Sequence, residues 1–132
     1  MARTTVHTDQ APGGGGTPGG TFAYSQAVTA AGLVFVSGQP PIDPATGTVV
    51  GDTIGDQTRQ CLANVEAILV AAGSSMAKVV SVTFILRDPA DFAGMNEEWV
   101  RWFPTDPPAR QGARHPLETD GLRISIAAIA EA

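Results

Sequence analysis

The stretch that decides the fold is Lys78–Leu86, with the sequence KVVSVTFIL. β-Branched and aromatic residues fill it, a composition typical of strands. We predict a β-strand with one face toward the core, because its side chains separate into two sets at a period of two. One face is predicted to carry Val79, Ser81, Thr83 and Ile85, and the core face Val80, Val82, Phe84 and Leu86.

A helix is predicted on each side of this strand. Apolar residues recur at helical spacing after Thr53, which forms a capping-box pattern with Asp56, and Gly73 is a typical helix stop. Beyond the strand, Asp88–Asp91 supplies an N-cap followed by proline, and Pro104 ends a second helix. The apolar stripe of this second helix consists of Phe92, Met95, Trp99 and Phe103.

Four further strands surround these elements. Ala27–Thr29 and Leu33–Ser37 flank the turn Ala30–Gly32 and predict a hairpin. Ala109–His115 and Leu122–Ala130 predict the last two strands. This order of elements predicts an α+β domain with two helices on one face of a mixed sheet.

The face of the sheet opposite the helices is also predicted to be buried against another surface. Its predicted residues are too small and too apolar to be left wholly to water, so we expect other subunits to pack on it. They are Ser37, Ser81, Thr83, Ser125, Ala127 and Ile129. The pattern therefore predicts an oligomer with pockets between its subunits.

Composition narrows the class of protein. The chain has 132 residues, which fits one domain, and its net charge of −5 makes nucleic acid an unfavourable partner. No apolar stretch is long enough to span a bilayer. Residues 1–21 are assigned to a flexible N-terminal arm, because residues 11–21 contain six glycines and two prolines, and residues 22–132 to a single domain. The polar N-terminus and the single Cys61 indicate a cytoplasmic protein.

Few residues offer chemistry. No metal-binding or nucleophile motif is present, so neither a metal nor a cofactor is expected, and Cys61 is interpreted as a buried apolar side chain. Asn96 interrupts the apolar face of the second helix, where a buried amide needs a partner. Arg110 offers a planar fork of donors suited to a carboxylate, although a surface ion pair is an equal alternative on these grounds.

A series of motifs resembles the reactive intermediate deaminase (Rid, YjgF-like) family, in that family's order and over residues 22–130. The motifs are Tyr24–Ala27, Leu33–Gln39, Gln57–Gln60, Asn64–Val65, Asp91–Phe92 with Asn96, Pro108–Arg110 and Ala128–Ala130. The resemblance implies a chorismate-mutase-like fold and a homotrimer with a pocket at each subunit interface. It also implies that Arg110 binds the carboxylate of a 2-imino or 2-enamino acid.

The resemblance assigns further residues to the pocket. Residues that match Tyr24, Ser37, Gly38 and Asn96 line or support it in the family. We expect backbone groups near Gly38 and Gln39 to bind water or the reacting atom. Two positions depart from the family pattern. Ala127 stands where deaminating members have a glutamate that positions the attacking water, and Gly112 stands where a larger side chain is frequent.

Three hypotheses follow. The chain is an enzyme that acts on a small carboxylate-bearing imine or enamine, with impaired or altered deamination. Alternatively, it catalyses a cyclisation, dehydration or tautomerisation in a biosynthetic pathway, which the changes at Ala127 and Gly112 favour. The third hypothesis is a regulatory trimer that binds a ligand without turnover. Members of the family also carry an endoribonuclease label, which the acidic balance of this chain disfavours.

Overall fold

A mixed six-stranded sheet with two helices on one face organises the protein in the computed structural model, which describes residues 2–13 and 23–132. The strands are β1 (Thr4–Val6), β2 (Ala27–Ala30), β3 (Leu33–Gln39), β4 (Ile42–Asp43), β5 (Thr48–Val49), β6 (Val79–Leu86), β7 (Ala109–Arg114) and β8 (Ile124–Glu131). The order in the main sheet is β1-β2-β3-β8-β6-β7, and β4 and β5 form a separate ribbon. Only β6 and β7 pair in parallel among the described strands. The predicted α+β architecture is confirmed.

Helix α1 (Ile54–Ala71) begins where the sequence predicts. The Thr53 side chain accepts a hydrogen bond from the Asp56 backbone N–H at 3.1 Å, and Gly73 follows the helix with φ of +82°. A left-handed backbone of this kind favours glycine. The helix packs its apolar face on the sheet through the buried residues Cys61, Leu62, Val65, Ile68 and Leu69.

Helix α2 (Phe92–Trp102) follows a short 3-10 turn, Pro89–Asp91. The Asp88 carboxylate caps that turn by accepting the Ala90 backbone N–H at 2.9 Å. Met95, Trp99 and Phe103 are buried as predicted, whereas Phe92 is 44% exposed. The start of the helix therefore leaves an aromatic ring accessible beside the sheet edge.

The predicted faces of β6 are wrong at its first two residues. Val79 is buried and Val80 is 42% exposed, the reverse of the prediction. The register with β8 shifts between Val79 and Ser81, which is a β-bulge. Because a bulge inserts one unpaired residue, it inverts the alternation on one side of it. From Ser81 onward the two faces lie as predicted.

The first residues of the chain contribute a strand that the sequence pattern did not predict. β1 pairs antiparallel with β2, so part of the segment assigned to a flexible arm belongs to the main sheet. Buried Gln26 holds the residues after β1: its Oε1 accepts the Thr8 N–H at 2.8 Å, and its Nε2 lies 3.0–3.1 Å from the carbonyl oxygens of Thr8, Ala11 and Pro12. Residues 14–21 of the predicted arm lie outside the described residues.

Replacing Gln26 with leucine is expected to detach residues 8–12 from position 26, because their hydrogen bonds to the Gln26 amide are lost. Each lost hydrogen bond contributes about 0.5–1.5 kcal/mol, and the carbonyls left behind need water. Hydrogen exchange measured by mass spectrometry should show lost protection of the Thr8 amide, with α1 still protected. Gln10→Leu is the matched control, since Gln10 is exposed. Unchanged protection in the Gln26 variant would contradict this account.

The face of the sheet opposite the helices is partly exposed in the single chain. Ser37, Ser81, Thr83, Ser125, Ala127 and Ile129 are all of intermediate burial there. Phe35, which pairs with Ile129, is 41% exposed. We refer to this surface as the open face. Among the helices of the described residues, none combines the length and apolar character that a membrane span requires.

Candidate functional site

Arg110 lies on β7, the strand at one edge of the sheet. It pairs with Val82 in parallel register, which directs its side chain to the helix side of the sheet. There the guanidinium carbon lies 5.2 Å, 5.4 Å and 5.0 Å from the ring centroids of Phe84, Phe92 and Trp99. Cation–π contacts of this kind favour a fixed position for the planar cation.

Asn96 of α2 sets the orientation of this guanidinium. Its Oδ1 accepts a hydrogen bond from Arg110 Nη1 at 2.7 Å, so the interrupted apolar face of α2 has a specific partner. Within residues 2–13 and 23–132, no carboxylate lies within ion-pair distance of Arg110. The alternative of a surface ion pair is therefore not seen there. The Asn96 amide accepts one N–H of the Arg110 guanidinium and, being uncharged, does not neutralise the positive charge of the guanidinium.

Gly112 lies two residues further along β7 and faces the same side of the sheet. A Cβ built on Gly112 would fall 2.1 Å from Phe84 Cζ, a distance that side chains do not tolerate. The Phe84 ring therefore fills the space where a side chain at position 112 would lie. The position of the Phe84 ring thus requires a residue without a side chain at position 112 of this chain.

A second group of predicted residues lies at β2 and β3. Ser37 Oγ donates to the Ser25 carbonyl oxygen at 2.6 Å, and the Ser37 N–H donates to the Gln26 carbonyl oxygen at 2.9 Å. Tyr24 is 62% exposed and lines a cleft of about 660 Å³ together with Ser37 and β1 residues such as Thr5. These contacts place the two residues beside each other.

Gly38 and Ala127 face each other across β3 and β8. The register shifts between Val36 and Gln39, so Ser37 and Gly38 form a bulge opposite Ala127. A Cβ built on Gly38 would lie 3.0 Å from Ser125 Oγ. Sequence reasoning assigned no role to Ser125 beyond the open face, and only the strand register reveals that its hydroxyl adjoins Gly38.

Gln39 has a side chain directed away from this group. It pairs with Ile126 and is buried, with its Nε2 donating to the Ser37 carbonyl oxygen at 3.0 Å. Its Oε1 has no hydrogen-bond partner within the described ranges. The side chain thus belongs to the interior, and only the backbone of Gln39 is positioned to take part in the predicted site.

The two groups of predicted residues lie on opposite faces of the sheet. Thr83 pairs with both Ala127 and Gln111, and Gln111 Nε2 donates to Thr83 Oγ1 at 3.2 Å, which places all three on the open face. Arg110, the neighbour of Gln111, points to the helix side. Within one chain, Arg110 and the Ser37–Gly38 bulge are therefore on opposite faces of the sheet and do not form a single site.

Glu98 is a buried carboxylate that sequence reasoning missed. Its Oε2 accepts the Trp102 Nε1–H at 3.0 Å, and its Oε1 lies 3.4 Å from Arg59 Nη2. The hydrogen bond and the charge of Glu98 raise the pKa of Arg59. The i,i+4 spacing of Glu98 and Trp102 was the available signal. This cluster joins α2 to α1 and so supports the helix that presents Asn96.

The part of the chain that the structure describes contains no cluster of metal-ligating side chains. No group of three His, Cys, Asp or Glu residues is close enough there to hold an ion. His115 Nδ1 accepts the Leu117 backbone N–H at 3.1 Å. Cys61 is fully buried, and burial raises the pKa of its thiol well above the usual value.

The native protein is accordingly expected to resist thiol reagents at pH 8 and to react once unfolded. A free cysteine titrates near about 8.5, so above that pH the unfolded chain loses a proton that the folded chain keeps. The free energy of unfolding should therefore fall as pH rises past that value. Cys61→Ala should remove this part of the pH dependence. Rapid labelling of the folded protein would show the buried-thiol description to be incorrect.

Together, the sheet, the two helices and the oriented edge arginine define an α+β protein with a candidate site for a small anion. A family model described as Endoribonuclease L-PSP matches residues 16–132. A RutC family protein of Pyrococcus horikoshii is 47% identical over 107 residues, which cover 81% of this chain and 85% of that protein. The human 2-iminobutanoate/2-iminopropanoate deaminase is 35% identical over 130 residues, covering 98% and 90%. The structure of E. coli TdcF with bound serine matches with a TM-score of 0.85 and 33% identity over 98% of each chain.

The chain therefore belongs to the L-PSP family, which includes the Rid proteins. This confirms the family assignment made from the motifs.

Proposed function

We propose that this protein binds a small carboxylate-bearing imine or enamine in a pocket between two copies of the chain in a homotrimer. The observation that supports this most is the state of Arg110: the residue is exposed, its guanidinium is oriented by the Asn96 amide, and it has no carboxylate partner among the described residues. A charged fork held in this way suits the two oxygens of a carboxylate.

The names of relatives agree with this ligand class. The human relative is named a 2-iminobutanoate/2-iminopropanoate deaminase, and both compounds have a carboxylate next to an imine carbon. The TdcF structure contains serine, which also has a carboxylate next to a nitrogen-bearing carbon. In our proposal Arg110 binds the carboxylate, and a second copy brings its Ser37–Gly38 bulge to the imine carbon.

Imine hydrolysis requires more than this anchor. Water adds to the carbon of the C=N bond, the C–N bond then breaks, and ammonia leaves with a 2-oxo acid as the other product. A base that takes the proton of the water accelerates the first step. Ala127 has no such group. The Ser125 hydroxyl beside Gly38 can orient a water molecule, but a hydroxyl is a poor base at neutral pH.

A second candidate function follows from the same positions. The absence of a carboxylate at Ala127 and the aromatic ring below Gly112 favour a reaction that needs no attacking water, such as tautomerisation or cyclisation, or ligand binding without turnover. RNA is less favoured as a substrate, because the chain has a net charge of −5 and only eight Lys and Arg residues.

The test generates 2-imino acids with an amino acid oxidase and follows ammonia release with and without the protein. Faster ammonia release in the presence of the protein supports deamination. Equal release with and without the protein, if the protein still binds a small carboxylic acid, supports the second candidate.

Mass measurement in solution should give three chains of 13.6 kDa each. A monomer at working concentration would remove the shared pocket and with it the proposal.

A further inference from the structure

We infer that the acid bound by Arg110 has an apolar side chain, branched aliphatic or aromatic, which packs into a cleft beside the guanidinium. This inference rests on the proposed function and specifies its substrate class. The cleft has a volume of about 430 Å³. It is lined by Phe84, Leu86, Pro89, Phe92, Gly112, Ala113 and Arg114.

The anchor and the cleft share two of their walls. Phe84 and Phe92 line the cleft, and the Arg110 guanidinium carbon lies 5.2 Å and 5.4 Å from their ring centroids. An acid whose carboxylate meets the guanidinium therefore has its remaining atoms next to these rings. Phe92 is 44% exposed although the other aromatic residues of its stripe, Trp99 and Phe103, are buried. An accessible ring next to a cation offers apolar surface that a ligand can cover.

Gly112 determines the floor of the cleft. Three atoms of the Phe84 ring lie 2.1–2.5 Å from the position that a Cβ of residue 112 would occupy. The floor is thus the Phe84 ring, with no side chain from β7 above it. Contacts with Phe92 and Trp99, at centroid distances of 6.0 Å and 6.1 Å, hold that ring in place. The floor is apolar, flat and fixed.

The residues that line the cleft determine which side chain of the bound acid fits it. Every lining side chain is apolar except that of Arg114, which is exposed. A polar substituent would lose hydrogen bonds to water and, among the lining side chains, would find a donor only in the exposed Arg114, whereas an apolar one gains about 25 cal/mol for each Å² that it buries. The cleft therefore discriminates in favour of apolar 2-imino acids over the smallest ones.

Stable 2-oxo acids test this inference, because they have the same carboxylate and planar adjacent carbon as 2-imino acids. Calorimetric titration of the full chain compares pyruvate, 4-methyl-2-oxopentanoate and 2-oxoglutarate. We expect 4-methyl-2-oxopentanoate to bind at least about tenfold more tightly than pyruvate, since one well-buried methylene contributes tenfold or more. Tightest binding of 2-oxoglutarate would overturn the inference and indicate a dicarboxylate.

Two variants locate the effect. Phe92→Ala and Gly112→Ala should each reduce the affinity ratio of 4-methyl-2-oxopentanoate to pyruvate to below about threefold, because one removes a wall and the other displaces the floor. Val100→Ala is the matched control on the same helix, 60% exposed and outside the cleft, and should keep the ratio. Phe92→Ala decides the matter if Gly112→Ala does not fold.

The failures of the two proposals are distinguishable. If pyruvate binds in an Arg110-dependent manner but the ratio in the native chain is near one, the apolar cleft is overturned and the carboxylate site remains. If none of the three acids binds, the proposed function and this inference fall together.

Discussion

Arg110→Ala is expected to weaken the binding of small 2-oxo acids by at least about 100-fold. A hydrogen bond to a charged group contributes about 1.5–3 kcal/mol, and a guanidinium makes two of them to one carboxylate. The loss should be large because, within the described residues, the fork is oriented by Asn96 and is not occupied by a carboxylate. Calorimetric titration measures the affinity, and ammonia release should decline in parallel.

Two companion variants separate charge from geometry. Arg110→Lys keeps the positive charge but lacks the planar fork and its stacking on the rings, so we expect intermediate affinity. Arg123→Ala removes one positive charge elsewhere on the chain and should leave affinity unchanged. Equal affinities of native protein and Arg110→Ala, with the fold intact, would disprove the assignment of Arg110 as the anchor.

Ala127→Glu is expected to raise the rate of imine hydrolysis by about 10²- to 10⁴-fold, the usual contribution of a general base. The structure places Ala127 opposite the Ser37–Gly38 bulge on the open face, where a glutamate side chain can extend toward the proposed position of the imine carbon. Ammonia release from oxidase-generated 2-imino acids provides the measurement. The substitution should leave carboxylate affinity within a few fold.

Ser125→Glu is the informative comparison. Ser125 lies two residues away on the same face, and its Oγ adjoins Gly38. A gain in the Ser125 variant alone would mean that the missing carboxylate belongs at position 125, and the assignment to Ala127 would then be wrong. Absence of any gain in either variant, with binding intact, would reject a missing base as the cause and favour a reaction without hydrolysis.

The helices and most of the sheet follow from the sequence because their signals are local. Thr53, Gly73 and Asp88 act within one helical turn, and each forms the contact or backbone conformation that its residue type predicts. The bulge at Val79–Ser81 was not predictable, since it depends on the register with β8. β1 is polar and short, so only its pairing with β2 and the bonds from Gln26 define it.

The candidate site was predictable in its residues but not in its arrangement. Arg110 and Asn96 were each identified, and the structure adds their hydrogen bond of 2.7 Å. They lie on the opposite face of the sheet from Ala127. Which face each residue occupies follows from the register of β6 with β7 and with β8, and the sequence alone does not give that register. The aromatic rings that contact Arg110 come from β6 (Phe84) and α2 (Phe92 and Trp99), and only tertiary packing determines the relative position of these two elements. Whether all of these residues form one site stays a prediction.

Phe84 and Gly112 also constrain how this sequence can evolve. A larger residue at position 112 collides with the Phe84 ring, and a smaller residue at position 84 leaves a void in the packed interior. Each single change is therefore disfavoured, while the simultaneous exchange of both is sterically allowed. Lineages with a side chain at position 112 should accordingly show a compact residue at position 84, so that the two sites change together as an epistatic pair.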